Sequence, residues 1–171
     1  MFDTYVTAYI RHLNNLKNIL EKAKVWQESL KIKDDAIMNA RLALDQFHFV
    51  MQVRGTTNFA RQTAAALCNV EYPKFEDTET NLTGLQERIE KTVTFLSGLS
   101  SDNVATDLET RIVPVPWIPG KGFVAKYFIE VYAHDNFYFH CTTAYSILRH
   151  YGLQIGKSDF MGNIELKDLP N

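Results

Sequence analysis

From Phe2 to Leu20 the apolar residues Phe2, Val6, Tyr9, Leu13, Leu16 and Leu20 recur at alternating steps of four and three. That spacing puts them on one face of a helix, the seam pattern of a helical bundle. Three further stretches carry a helical period. Asp34 and Asp35 mark the start of the second, because acidic side chains complement a helix N-terminus. It reads through DAIMNARLALDQFHFVMQV, and Gly55, Thr56 and Thr57 predict a kink before NFARQTAAALCN resumes. After Pro73 and FEDTET, Thr78 or Thr80 is the expected cap of the third helix. Its core face is Leu82, Leu85, Ile89, Val93 and Leu96. The fourth helix is expected from Phe123 to Tyr151, with Gly152 as its stop.

Residues 104–122, VATDLETRIVPVPWIPGKG, differ in kind. Their prolines and glycines exclude a helix, and TRIVPVPWI alternates as an edge strand or hairpin would. The tail after Gly152 is expected to be irregular and to pack back through Ile155, Phe160 and Met161. The expected fold class is all-α: a four-helix bundle with a short extended or hairpin insertion before the last helix. The length, 171 residues, suits one domain over 1–171.

Composition narrows the function classes. A formal net charge of −2 argues against nucleic acid, which requires clustered Lys and Arg in excess. Phe123 to Phe139 is interrupted by Lys126, Glu130, His134 and Asp135, so no membrane span is expected. The N-terminus lacks the basic start and unbroken apolar run of a signal peptide. Cys68 and Cys141 have neither CxxC spacing nor the numbers for a disulfide framework, which fits a cytoplasmic protein. No phosphate-binding glycine loop, nucleophile elbow or dinucleotide fingerprint is present.

Bundles place their sites between facing helices. On the fourth helix Asn136 and His140 are four residues apart and share a face with Thr143. On the second, Arg41, Asp45, His48 and Gln52 form a stripe about 60° wide. Set opposite one another, these two groups make an interior polar cluster. Imidazole and carboxylate bind divalent metals, which makes Asp45, His48, Asn136 and His140 the candidate metal residues. Arg41, Gln52 and Thr143 are candidate ligand-binding residues, and Trp117, set between prolines, is a candidate lid. The competing reading is a buried imidazole bonded to a carboxylate or amide, holding the helices in register. His12 is expected at the surface.

NARLALDQF, FEDTETNLTGLQERIEKTVTFL and NFYFHCTTAYSILRHYGLQIGKSDFMG resemble the bacterial and fungal domain-of-unknown-function family 1993. That family is similar to the DinB/YfiT-like metalloenzyme superfamily. The resemblance implies a DinB-like four-helix bundle, often a homodimer. Typical members hold a divalent metal with one histidine from the second helix and an HxxxH pair from the fourth. Here the pair reads Asn136-xxx-His140, so His140 alone keeps the residue type. Asp45 is the better match to the family at the second-helix position, with His48 beside it. Two functional expectations follow. One is a metal-dependent transferase or hydrolase with Asp45 and His140 as ligands or acid–base groups. The other is a non-catalytic small-molecule-binding or interaction protein whose polar cluster is structural. Neither the reaction nor the catalytic residues can be read from the sequence.

Overall fold

The computed structural model describes residues 1–116 and 118–169. A π-helical turn at Asp3–Thr7 runs into α1, Ala8–Leu30. Then come α2 (Asp34–Met38), α3 (Phe49–Cys68) and α4 (Leu82–Ser97). A two-stranded antiparallel hairpin follows, β1 (Ile112–Pro114) and β2 (Gly122–Val124), with Val113 opposite Phe123. One short turn, α5 (Ala125–Tyr127), and a π-helical segment, Phe128–Ala133, lead into α6 (His134–His150) and then α7 (Lys157–Met161). The bundle consists of α1, α3, α4 and α6. The expected hairpin before the last helix is present, with Pro114 in the edge position where a missing N–H is tolerated.

The seam read from the first helix is the face that packs. Val6, Tyr9, Leu13, Leu16 and Leu20 are all buried. Tyr9 stacks on Phe137 of α6 with ring centroids 3.8 Å apart, joining α1 to α6. Leu82, Leu85, Ile89 and Leu96 carry α4 into the same core. Among the described residues no helix is long and apolar enough to cross a membrane.

Four expectations are corrected. The second helix is not one rod from Asp34. It stops at Met38, residues 39–48 form a connection, and α3 starts at Phe49. The cause is local. Asn39 donates its side-chain amide to the Asp35 carbonyl at 3.0 Å and to the Asp35 carboxylate, an alternative to continuing the helix. The kink expected at Gly55–Thr57 is absent, because α3 runs unbroken from Phe49 to Cys68. The cap of α4 is Asn81, not Thr78 or Thr80: its Oδ1 accepts from the Gly84 N–H at 2.9 Å. His12 is buried, packed against Tyr138 and Phe160.

The FEDTE segment has a different task from capping. Arg88 of α4 is only 3% exposed. Its Nη1 donates to Asp77 at 2.9 Å and Glu79 at 2.8 Å, its Nε to the Thr57 hydroxyl at 2.8 Å, and its Nη2 to Asn58 at 2.7 Å. Arg54 donates to the other Glu79 oxygen at 2.7 Å. Arg61, 2% exposed, donates to the Pro73 carbonyl and Asn58 and lies over the Phe75 ring at 3.8 Å. Burial, and then Arg88, push its pKa down to about 10, which leaves it protonated. The α3–α4 connection is thus tied down by buried guanidinium groups whose donors meet carboxylates, carbonyls and an amide.

Two outcomes follow from these buried groups. Removing one partner of a buried ion pair leaves the other charge without compensation, at a cost of roughly 3–5 kcal/mol. Arg88→Ala is expected to lower unfolding stability in urea by about that amount. Asp77→Asn, at a half-exposed carboxylate, is expected to cost about 1 kcal/mol or less. The second outcome concerns acid. His12 is held neutral: burial, then the neighbouring Arg11, push its pKa down to about 4. The unfolded chain therefore takes up a proton that the folded one refuses. The His12 contribution is present above about pH 6.5 and is lost as pH falls towards 4. The loss is roughly 2–3 kcal/mol, and His12→Phe is expected to flatten this part of the stability–pH curve.

Candidate functional site

The polar group inside the bundle lies where α3 meets α6. Its centre is His140, on the second turn of α6 and 8% exposed. His140 Nδ1 lies 2.7 Å from Oε1 of Gln52, a side chain with no solvent exposure on the first turn of α3. Gln52 in turn donates its Nε2 to the Phe47 carbonyl at 2.8 Å. The imidazole is stacked on Phe59 of α3, with centroids 5.7 Å apart and planes within 14°, and Phe139 meets it edge-on. Burial holds the His140 pKa below the ordinary histidine value, so the ring is neutral at neutral pH.

Gly55 makes this packing fit. A Cβ at that position would lie 2.7 Å from Cδ2 and Cγ of His140 and 2.9 Å from Nδ1. The imidazole occupies the space that any other residue would fill, so the ring rests on the α3 backbone. The contact is at the root of the ring, over Cγ and Cδ2. Among the described residues Nε2 has no protein hydrogen-bond partner, and it is not one of the fully enclosed unpartnered atoms.

The other sequence candidates divide. Asn136 is on α6 one turn before His140, and its Nδ2 donates to the Tyr132 carbonyl at 2.7 Å. Thr143 is buried, but its hydroxyl donates to the Phe139 carbonyl at 2.7 Å, within its own helix. His48 stands at the N-cap of α3, one turn before Gln52. Partial burial, then the charges of Arg41 and Arg54, lower its pKa. Arg41 and Asp45 lie in the 39–48 connection and not on a helix. Arg41 donates to the Leu44 carbonyl, and Asp45 is solvent-exposed. The expected four-residue stripe is therefore not a helical face, and only its Gln52 end bonds to His140. Trp117 lies outside the described residues. Among the described residues no three His, Cys, Asp or Glu side chains come together as a group that could hold a metal ion. Both thiols are buried, which raises the Cys68 pKa and pushes Cys141 up to about 12.

Sequence reasoning paired His140 with Asp45 and passed over Gly55 and Phe59. The available signal was their spacing: Gly55 and Phe59 lie three and seven residues after Gln52, on the same side of α3. The magnitudes decide what Gly55→Ala should do. Alanine inside a helix gains about 1 kcal/mol over glycine. Forcing a methyl into a packed site costs roughly 1–3 kcal/mol. Here the obstacle is the root of an imidazole pinned between Phe59 and Gln52. Gly55→Ala is expected to be net destabilising by about 1 kcal/mol in urea unfolding. It should also shift the His140 ring resonances.

A family model described as domain of unknown function DUF1993 matches residues 1–161. No curated protein matches the chain. A solved structure of a DinB family member protein from Shewanella denitrificans superposes with a TM-score of 0.90 at 35% sequence identity. The match covers 98% of this chain and 95% of that one. With the bundle, the hairpin before the last helix and these matches in hand, the chain belongs to the DUF1993 family of DinB-like proteins.

Proposed function

We propose that this DinB-like bundle is a small-molecule-binding protein whose site is centred on His140 and works without a resident metal. The observation that carries this reading is the buried, neutral imidazole of His140, engaged at Nδ1 by Gln52 and, among the described residues, without a protein partner at Nε2. Its hydrogen-bond partner is the Gln52 amide, itself held by the Phe47 carbonyl, and Asn136 one turn away is bonded to the Tyr132 carbonyl. These groups are uncharged. A divalent cation here would find one imidazole and neutral amide groups, short of the three nitrogen ligands that an all-histidine site supplies. His48 and His140 supply at most two imidazoles, and exposed Asp45 would have to leave water and change its loop to join them. A ligand carrying no net charge at the contacting atom needs no such rearrangement.

The test uses chelator-treated, tag-free protein. Zinc chloride titrated by calorimetry is expected to give no one-to-one site dependent on His140, so wild type and His140→Ala should behave alike. Phenol titrated into protein labelled at histidine is expected to move the His140 ring resonances saturably, ahead of those of His150 on the surface. A stoichiometric zinc site that disappears in His140→Ala would overturn the metal-free reading. Absence of any His140 response to phenol would overturn the binding reading.

A further inference from the structure

The Gln52 amide holds more information than a contact. Its nitrogen faces the Phe47 carbonyl at 2.8 Å and its oxygen faces His140 Nδ1 at 2.7 Å. The reverse orientation would set the amide oxygen against the Phe47 carbonyl oxygen, two acceptors in contact. It would also leave a buried NH2 donor to be satisfied by the imidazole alone. The backbone at Phe47 therefore settles which way the amide points, and an amide oxygen can only accept. The proton on the neutral imidazole must then lie on Nδ1. Among the described residues Nε2 is left with its lone pair and no protein donor.

We infer that Gln52 is a positioning residue that holds His140 in the Nδ1–H tautomer, so that the site selects ligands presenting an O–H, S–H or N–H donor to Nε2. The inference builds on the reading of His140 as the centre of a small-molecule site and adds the chemical class of the ligand. Three features of the molecule act together. Gly55 fixes where the ring lies, because the ring fills its missing side chain. Phe59 fixes the plane of the ring by stacking. Gln52, clamped by Phe47, fixes which nitrogen carries the proton. The clamp also ties the site to the 39–48 connection, since the carbonyl that orients Gln52 belongs to the end of that loop. Displacing Phe47 would free the amide to turn, and Nε2 would then become a donor instead of an acceptor.

Direct nitrogen spectroscopy of the histidine-labelled protein at pH 8, without ligand, tests the tautomer separately from binding. In wild type, Nε2 of His140 is expected to give the pyridine-like signal and Nδ1 the pyrrole-like one, with a roughly tenfold or greater excess of this tautomer. Gln52→Leu removes the acceptor and is expected to move the proton towards Nε2. Gln52→Glu keeps an acceptor facing Nδ1 and can meet the Phe47 carbonyl through a protonated outer oxygen, so it should retain the Nδ1–H form, an effect that loss of packing alone would not produce. On the ligand side, phenol is expected to perturb the His140 ring at least tenfold more strongly than anisole, which has the same ring without the donor. An Nε2–H signal in wild type, or loss of the Nδ1–H form in Gln52→Glu, would overturn the role of Gln52 while leaving a His140 site standing. Equal responses to phenol and anisole would overturn the donor selectivity. No response to either would instead count against the binding site itself.

Discussion

The close seating of α6 on α3 is the constraint around which the rest is arranged. An imidazole can lie against a helix backbone only where a side chain is missing, and Gly55 supplies that gap for His140. The position has a cost, since glycine inside a helix weakens it by about 1 kcal/mol relative to alanine. The ring offsets it by filling the space, stacking on Phe59 and bonding to Gln52, all within three turns of α3. On the adjoining face of α6, three residues before His140, Phe137 stacks on Tyr9 of α1. The orientation of α6 is thus fixed from two directions, and with it the direction in which His140 Nε2 points.

A second set of buried polar groups follows a different rule. Arg61 and Arg88 are as deeply buried as the apolar core, and ionised groups at that depth must be matched. The matching comes from the chain between α3 and α4. Asp77 and Glu79 supply charge, Pro73 supplies a carbonyl, and Phe75 supplies a ring face. A connection of this length would ordinarily be the loosest part of a bundle. Here it is one of the more constrained, because releasing it would strand the guanidinium groups of two helices. The same α3 that receives His140 on one side carries Arg54, Asn58 and Arg61 on another, so the ion-pair network and the imidazole site share a support.

Much of this architecture could be read from residue spacing, and the failures have physical causes. Val6 through Leu20 repeat at helical period, and burial follows the pattern because one face of α1 has a single core to meet. Gly152, with φ of 107°, ends the last long helix as glycine does. Pro114 and Pro116 announced a break that became the hairpin. The stretch from Asn39 to His48 misled, because it contains neither proline nor glycine and its apolar residues suit a helix. What stops the helix there is Asn39 bonding back to Asp35, together with Gln52 capturing the Phe47 carbonyl, and both are side-chain events without a periodic signature. Asp45 was placed on a helical face for the same reason and stands exposed in a loop. His140 was among the candidate residues because it shares a face of its helix with Asn136 and Thr143. Gln52 was in the candidate stripe, but as a ligand-binding residue, and its pairing with His140 became visible only with the helix beneath it starting at Phe49.

The contrast between the two polar clusters bears on what the site can hold. Arg88 and Arg54 are met by carboxylates, Asp77 and Glu79 for the first and Glu79 for the second, while Arg61 is met by carbonyls, an amide and the Phe75 ring. At His140 the hydrogen-bond partner is a neutral amide, Gln52, and burial pushes the imidazole itself towards its neutral form. With asparagine in place of the first histidine of the HxxxH pair, and its amide nitrogen bound to Tyr132, that position offers an oxygen and no titratable lone pair. The ring is packed against Phe59 and Gly55, and among the described residues its Nε2 is without a protein hydrogen-bond partner. In the proposed site, discrimination would rest on hydrogen bonding. A buried acceptor left unpaired costs more than a matched bond gains, so a ligand that brings a donor is favoured over an otherwise identical one that does not.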